Sequence, residues 1–246
     1  MSETDEEVIA RLKAGYSRFY AEVNPHVGTE KFYRDCLYYY RAEIVPVLPS
    51  DKNIRILEIG CATGSLLRFL CESGYTHAGG IELERSLYEE AVRNVGGKVE
   101  FLECGDALDF LRRSSGRFDM IIAVDVIEHF TLAGAPDLCG LVHRALNPGG
   151  QFLIRTPNMA NILGCYARYM GLTHLMGYTE TSLRELLLLC GFERAEVVVP
   201  KFGWLHLQTI RTFVTNVFHR ILFAMQGQPP CVRFDSNIVM VGRKAK

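Results

Sequence analysis

The sequence predicts an α/β protein built on an open, doubly wound, mostly parallel sheet. Two observations predict it. Five short apolar runs between residues 54 and 155 alternate with segments of helical periodicity. Helical connections of that length bring successive strands into parallel pairing through right-handed crossovers. In addition, a turn of small residues, Gly60-Cys61-Ala62-Thr63-Gly64, follows the first run and opens a helix. There a ligand can approach bare backbone.

The elements are expected in this order. Glu6 to Tyr20 spaces Val8, Ile9, Leu12, Tyr16 and Phe19 as a helix, which Asn24-Pro25 ends. Thr29 is the expected N-cap of a second helix, rich in tyrosine (Tyr33, Tyr38, Tyr39, Tyr40) and stopped by Pro46 and Pro49. Residues 1–50 thus form a helical cover whose tyrosines pack on the sheet or close over a ligand. Strands are expected at 54–59, 78–82, 99–102, 118–124 and 151–155, with helices at 64–73, 85–94, 107–112 and 136–145 and a turn at Asn147-Pro148-Gly149-Gly150. Thr179 to Ser182 opens a helix through Cys190, halted by Gly191, and strands at 197–199 and 237–241 close the pattern.

Between those last strands, residues 205–225 carry the strongest amphipathic helix. Ile210, Phe213, Val214, Val217, Phe218 and Ile221 recur at helical spacing, opposite Arg211, Asn216, His219 and Arg220. Core or dimer packing is the first expectation for it. A lid with Trp204 and His206 at its entrance comes next, and contact with a membrane surface is third. With no linker in evidence, the chain reads as one domain: cover 1–50, cofactor-binding core 51–155, and a substrate-side segment with the final strands at 156–246.

Composition bounds the function. A chain of 246 residues with 48% hydrophobic and 22% charged residues buries a sizeable core. Its net charge of −1 gives no basic footprint, so a nucleic-acid partner is not expected. Eight cysteines without a C-x-x-C pair read as small buried hydrophobes in a reducing compartment. The acidic N-terminus lacks the apolar stretch of a signal peptide, and no apolar run reaches 18 residues. The expected location is cytoplasmic.

The turn discriminates among ligands. A dinucleotide fingerprint wants glycine at positions one, three and six, where this chain has Gly60, Ala62 and Ser65. A phosphate loop needs Lys then Ser or Thr after the last glycine, and neither is present. Glu58, just before the turn, repels a pyrophosphate and attracts an ammonium or sulfonium group. Glu82 ends the second strand, 22 residues after Gly60, where a carboxylate accepts both hydroxyls of an unphosphorylated ribose. Asp106 follows the third strand, placed to accept an adenine amine. Together the three acids describe an adenosine bearing a cationic amino-acid tail.

Residues 54–155 therefore resemble a class I S-adenosylmethionine-dependent methyltransferase. The matching motifs are Glu58-x-Gly60-x-Ala62-x-Gly64, Gly80-Ile81-Glu82, Gly105-Asp106-Ala107, Phe118-Asp119-x-Ile121-x-x-x-Asp125-x-x-Glu128-His129 and Leu146-Asn147-Pro148-Gly149-Gly150. Ala62 stands where many members have glycine. The resemblance implies a Rossmann-like seven-stranded sheet with an antiparallel last strand. It also implies S-adenosylmethionine as cofactor, with S-adenosylhomocysteine as product. Glu58, Gly60 and Gly64 would surround the methionine part, Glu82 the ribose, and Asp106 with Ala107 the adenine; Ala62, Leu83 and Asp125 complete the expected cofactor-binding set.

Methyl transfer to a hydroxyl needs alignment and a base. His129, just after the fourth strand, and His174, in the loop beyond the fifth, are the candidates, since an ordinary imidazole titrates near pH 6.5. The segment 155–192 resembles, more loosely, a subgroup that modifies sugars and other small hydroxylated metabolites. The expected acceptor is accordingly a small-molecule or sugar hydroxyl. Transfer to nitrogen or carbon is the runner-up, and a non-catalytic cofactor-binding subunit the rival from another class. A divalent ion at Asp125, Glu128 and His129, as in similar quinone-pathway enzymes, is the less favoured cofactor expectation. No metal ligands are assigned.

Overall fold

A computed structural model describes residues 7, 8, 11, 12, 15, 22, 25–202, 207–229, 231 and 233–246. Of the expected first helix only residues 7, 8, 11, 12 and 15 are described, the first four of them helical; the rest of it, and Trp204 and His206, lie outside the described residues. Helix α1 (Glu30–Tyr39) begins where its cap predicts, with Thr29 Oγ1 accepting from Phe32 N at 3.2 Å. A π-helical turn (Tyr40–Ile44) and a 3-10 turn (Val45–Val47) bring the chain to β1 (Arg55–Ile59).

The βα alternation then runs α2 (Ser65–Glu72), β2 (His77–Glu82), α3 (Arg85–Val95), β3 (Phe101–Cys104), α4 (Ala107–Arg112), β4 (Phe118–Val124), α5 (Gly134–Ala145) and β5 (Leu146–Pro157). Next come α6 (Gly164–Tyr169), α7 (Glu180–Leu189), β6 (Arg194–Val197), α8 (Leu207–Met225) and β7 (Asn237–Arg243). The strands form one seven-stranded sheet ordered β3-β2-β1-β4-β5-β7-β6. Only β7 runs against the others, pairing antiparallel to both β5 and β6. The chain reverses direction of travel beside β1, between β2 and β4, which is the switch point where open α/β sheets hold ligands.

Both faces of the sheet are covered, which explains why its central strands are apolar throughout rather than alternating. On β4, Ile121 and Ala123 pack toward α4, α5 and α7, while Met120 and Ile122 pack toward α1, α2 and α3. Gly80 on β2 permits the close approach of α2, since a Cβ there would lie 2.7 Å from Leu67 Cδ1.

Several expectations are corrected. The third strand starts at Phe101 rather than at 99, because pairing begins at Gly79↔Phe101. The turn at 147–150 is absorbed into β5: Leu146 pairs with Phe118 and Gln151 with Met120, so the turn residues bulge opposite Asp119. The sixth strand is 194–197, not 197–199, its register set by Arg194↔Arg243. Of the eight free cysteines only Cys61 and Cys139 are buried, and Cys165 is exposed.

The largest correction concerns α8. Its apolar stripe faces outward, with Phe213 68% and Val214 58% exposed, whereas Asn216 and His219 are buried. Core packing of the apolar face is therefore wrong. Among the described residues no helix is long and apolar enough to cross a membrane.

Candidate active site

At the C-terminal edge of the parallel strands a cavity of about 510 Å³ opens. The small-residue turn forms its floor. Gly60 has φ +67°, and a Cβ there would lie 2.7 Å from Val126 Cγ2, so only glycine fits. Gly60 N and Cys61 N both donate to Ile81 O, at 2.9 and 3.2 Å, locking the turn onto β2. Ala62, with φ +45°, also occupies the left-handed region, at a cost of about 1 kcal/mol for a residue with a Cβ. Its N–H donates to Glu82 Oε2 at 2.8 Å, which holds the conformation.

The sequence-predicted acids meet here. Glu58, Glu82, Asp106 and Asp125 line the same cavity, with Gly60, Ala62, Leu83, Ala107 and His129. Gly64 and His174 do not line it; Thr63 and Ser65 flank the former at the wall. Glu58 is 4% exposed, and its Oε2 has no hydrogen-bond partner. Burial, then the neighbouring Glu82, push its carboxyl well above the usual carboxylate range. Burial likewise raises Glu82, although the amides of Glu84 and Ala62 oppose the shift. Asp106 caps α4, one oxygen accepting from Leu108 N at 2.7 Å and Asp109 N at 3.2 Å.

The folded protein keeps Glu58 protonated at pH values where the unfolded chain ionises it. The group therefore withdraws stability as pH rises above its ordinary value near 4.5. In the ligand-free protein, Glu58→Gln is expected to raise the thermal midpoint at pH 8 by about 3–6 °C, with little effect near pH 4. Calorimetric scans at the two pH values check this; an equal change at both would refute the assignment.

Three side chains converge at His129, the one of them that lines the cavity. Glu128, His129 and His174 each place a ligating atom within 4.8 Å of the others. Glu128 is 2% exposed, its Oε2 accepts from Thr156 Oγ1 at 3.0 Å, and Oε1 has no partner. Burial first, then Asp125, raise its pKa to about 8. His129 Nδ1–H donates to Thr173 O at 3.0 Å, and His174 Nδ1–H to Ala167 O at 2.9 Å. Both rings thus carry their lone pair on Nε2. The rings meet edge to face, with centroids 4.9 Å apart.

Sequence reasoning missed two residues. Arg155, at the end of β5, bonds Asp125 and donates from Nε to Glu43 Oε2 at 3.0 Å. Burial works against its charge, but Asp125 and Glu43 outweigh burial and hold the guanidinium firmly protonated. Its place at a strand end, the criterion that singled out Glu82 and Asp106, would have found it. Glu43 left no signal, because its partner lies 112 residues away. The cover also contributes Phe32, Cys36, Tyr39 and Tyr40 to the cavity, whereas Tyr33 is buried against α2 through Glu72. The two readings of the tyrosines thus divide between different residues.

Comparison with known proteins gives the same fold. An Archaeoglobus fulgidus SAM-dependent methyltransferase superposes with TM-score 0.62 at 16% identity, over 93% of this chain and 99% of its own. A Thermotoga maritima SAM-dependent methyltransferase, described as a possible histamine N-methyltransferase, gives 0.62 at 17% over 93% and 98%. A Haloferax volcanii structure of the Trm112 methyltransferase activator with the putative methyltransferase gives 0.63 at 16% over the whole of both chains. No match was found among curated proteins. The family model described as a methyltransferase domain matches residues 32–197. That match spans most of the chain, including every acid at the cavity and both histidines, and the protein belongs to the methyltransferase-domain family.

Proposed function

We propose that the protein transfers a methyl group from S-adenosylmethionine to a hydroxyl of a small molecule or sugar, with His129 as general base. The observation that carries the cofactor reading is Glu58, a buried carboxyl with an open oxygen at the wall of a cavity lined by further acids. Six carboxylates (Glu43, Glu58, Glu82, Glu84, Asp106, Asp125) line it against one arginine. A cationic, phosphate-free ligand suits that balance, and an orphaned carboxylate oxygen suits an ammonium group. When bound, the cofactor supplies an electrophilic methyl on a sulfonium.

The chain's own residues do the rest. Gly60 and Ala62 bring backbone to the methionine part, Glu82 accepts the ribose hydroxyls beside the amides it already holds, and Asp106 has a second oxygen for the adenine amine. Leu83 and Ala107 supply apolar contact. His129 lines the cavity with Nε2 as its basic nitrogen, so it takes the hydroxyl proton as the acceptor attacks. His174 does not reach the cavity and acts as a positioning residue, steadying the His129 ring. Arg155, the one cation of the lining, already bonds two carboxylates. That favours an uncharged acceptor over a phosphorylated one.

A second reading rests on Glu128 Oε1. A buried oxygen without a partner beside two imidazoles, each anchored through Nδ1 to a carbonyl, is also the donor set of a divalent-ion site. There the ion would polarise the acceptor. One experiment separates the readings. Calorimetry is expected to show S-adenosylhomocysteine binding and no NAD binding. A turnover screen over sugars, phenols and amines is then run with and without chelator. Activity on hydroxyls undiminished by chelator supports the base; loss restored by a divalent ion supports the metal. Methylation of amines alone would move the acceptor to nitrogen. Cofactor binding without turnover on any acceptor would favour a non-catalytic subunit.

A further inference from the structure

Two cysteines meet where α5 and α7 pack against each other, and neither lines the cavity. Cys139 lies on α5 and is fully buried. Cys190 is the C-cap of α7, half-buried beside the exposed Leu188 and Leu189. It sits against the apolar cluster that holds Cys139, Leu138, Leu183 and Leu187.

A hydrogen bond joins the two thiols. Its direction follows from a second contact: Cys190 Sγ–H donates to Pro136 O at 3.6 Å, one helical turn before Cys139. Cys190 sulfur is therefore the acceptor of the Cys139 proton. That accepted bond, working against burial, lowers the Cys190 thiol below its ordinary range, while donating it and being buried raise Cys139 well above. Elsewhere burial leads and works the other way, raising Cys36, Cys61, Cys71 and Cys231. A half-accessible sulfur that ionises readily, with a second thiol bonded to it, is the pairing of an attacking and a resolving cysteine.

We propose that Cys139 and Cys190 form a redox-modification site, which hydrogen peroxide converts reversibly into a disulfide tying α7 to α5. Cys190 reacts first, because its sulfur is the accessible one. Its thiolate attacks one peroxide oxygen, the O–O bond breaks, and the other oxygen leaves as water with the proton that Cys190 released. The Cys139 sulfur then attacks the resulting sulfenic sulfur. The S–O bond breaks, and the departing hydroxide takes the Cys139 proton and leaves as a second water. Two electrons pass from the two sulfurs to the peroxide, and a dithiol returns them in reverse by thiol–disulfide exchange. Thiols in hydrogen-bond contact can join after a rotamer change. Cys190 is placed for one, at a helix end followed by Gly191 at φ +95°.

The test uses the full chain and does not depend on methyl transfer. The reduced protein is exposed to hydrogen peroxide, remaining thiols are alkylated, and peptides are mapped by mass spectrometry. Expected are a peptide pair linked through Cys139 and Cys190, an intact mass lower by two hydrogens, and recovery of both thiols with dithiothreitol. Cys139→Ala is expected to leave Cys190 as a sulfenic acid that dimedone traps. Cys190→Ser is expected to slow oxidation of Cys139 by at least about tenfold. Circular dichroism verifies the fold of each variant, and the wild-type map stands without them. Full alkylation of Cys139 and Cys190 while another cysteine oxidises would overturn the proposal. So would a sulfinic acid at Cys190 with Cys139 untouched, a link from Cys190 to any other cysteine, or oxidation of Cys139 at the wild-type rate in Cys190→Ser.

Discussion

Replacing Glu82 by alanine is expected to weaken S-adenosylhomocysteine binding by roughly 100-fold, from the loss of two charge-assisted hydrogen bonds to the ribose. The carboxylate is 7% exposed and already accepts from Ala62 N and Glu84 N, both at 2.8 Å. It therefore shapes the turn, beside the ribose-binding role proposed for it. Glu82→Gln separates the two functions. It keeps one acceptor oxygen but places an amide where a second donor must approach, so an intermediate loss of about tenfold is expected. Titration calorimetry on folded variants reads both values. An affinity for Glu82→Ala within about threefold of wild type would remove Glu82 from the ribose site.

The second large effect is on chemistry. His129→Ala is expected to lower kcat by about 10²–10⁴, with S-adenosylhomocysteine affinity nearly unchanged, if the imidazole serves the acceptor as proposed. His174→Ala is expected to cost about tenfold in kcat. Its ring meets His129 edge to face from a segment held by its bond to Ala167 O, so it orients without reaching the cavity. Single-turnover rates across pH check both variants. If His174→Ala costs as much as His129→Ala and chelator also abolishes turnover, the pair is holding an ion and the base assignment falls. A loss of cofactor affinity in His129→Ala would instead place that ring on the cofactor side.

Much of the site was legible because its signals are local. Strand β4 reads directly from Phe118 to Val124, since burial on both faces demands an unbroken apolar run. The turn reads from Gly60, whose left-handed backbone and contact with Val126 exclude any side chain. Glu58, Glu82 and Asp106 read as one set because each sits at the end of a successive strand, and parallel strands deliver their C-terminal ends to one edge. Where locality failed, so did the reading. The Asn147–Gly150 turn looked like a boundary, yet the β4–β5 register carries the strand through it as a bulge.

The chain's own pattern determined the α/β class, the sheet's parallel core, the small-residue turn and the acids that meet there, all from periodicities and spacings within about 25 residues. Tertiary structure alone decided three things. It paired Glu43 with Arg155 across 112 residues, bringing the N-terminal cover to the cavity wall. It set His129 against the loop of His174, through a bond to Thr173 that spans 44 residues, and so made one of two equivalent-looking histidines line the cavity. And it chose which face of α8 turns inward. Helical periodicity specifies that two faces exist, but their rotation depends on partners elsewhere. Asp235, the Phe234 amide and the Ile162 amide claim Asn216 and His219, and those buried polar bonds outweigh the burial of the apolar stripe.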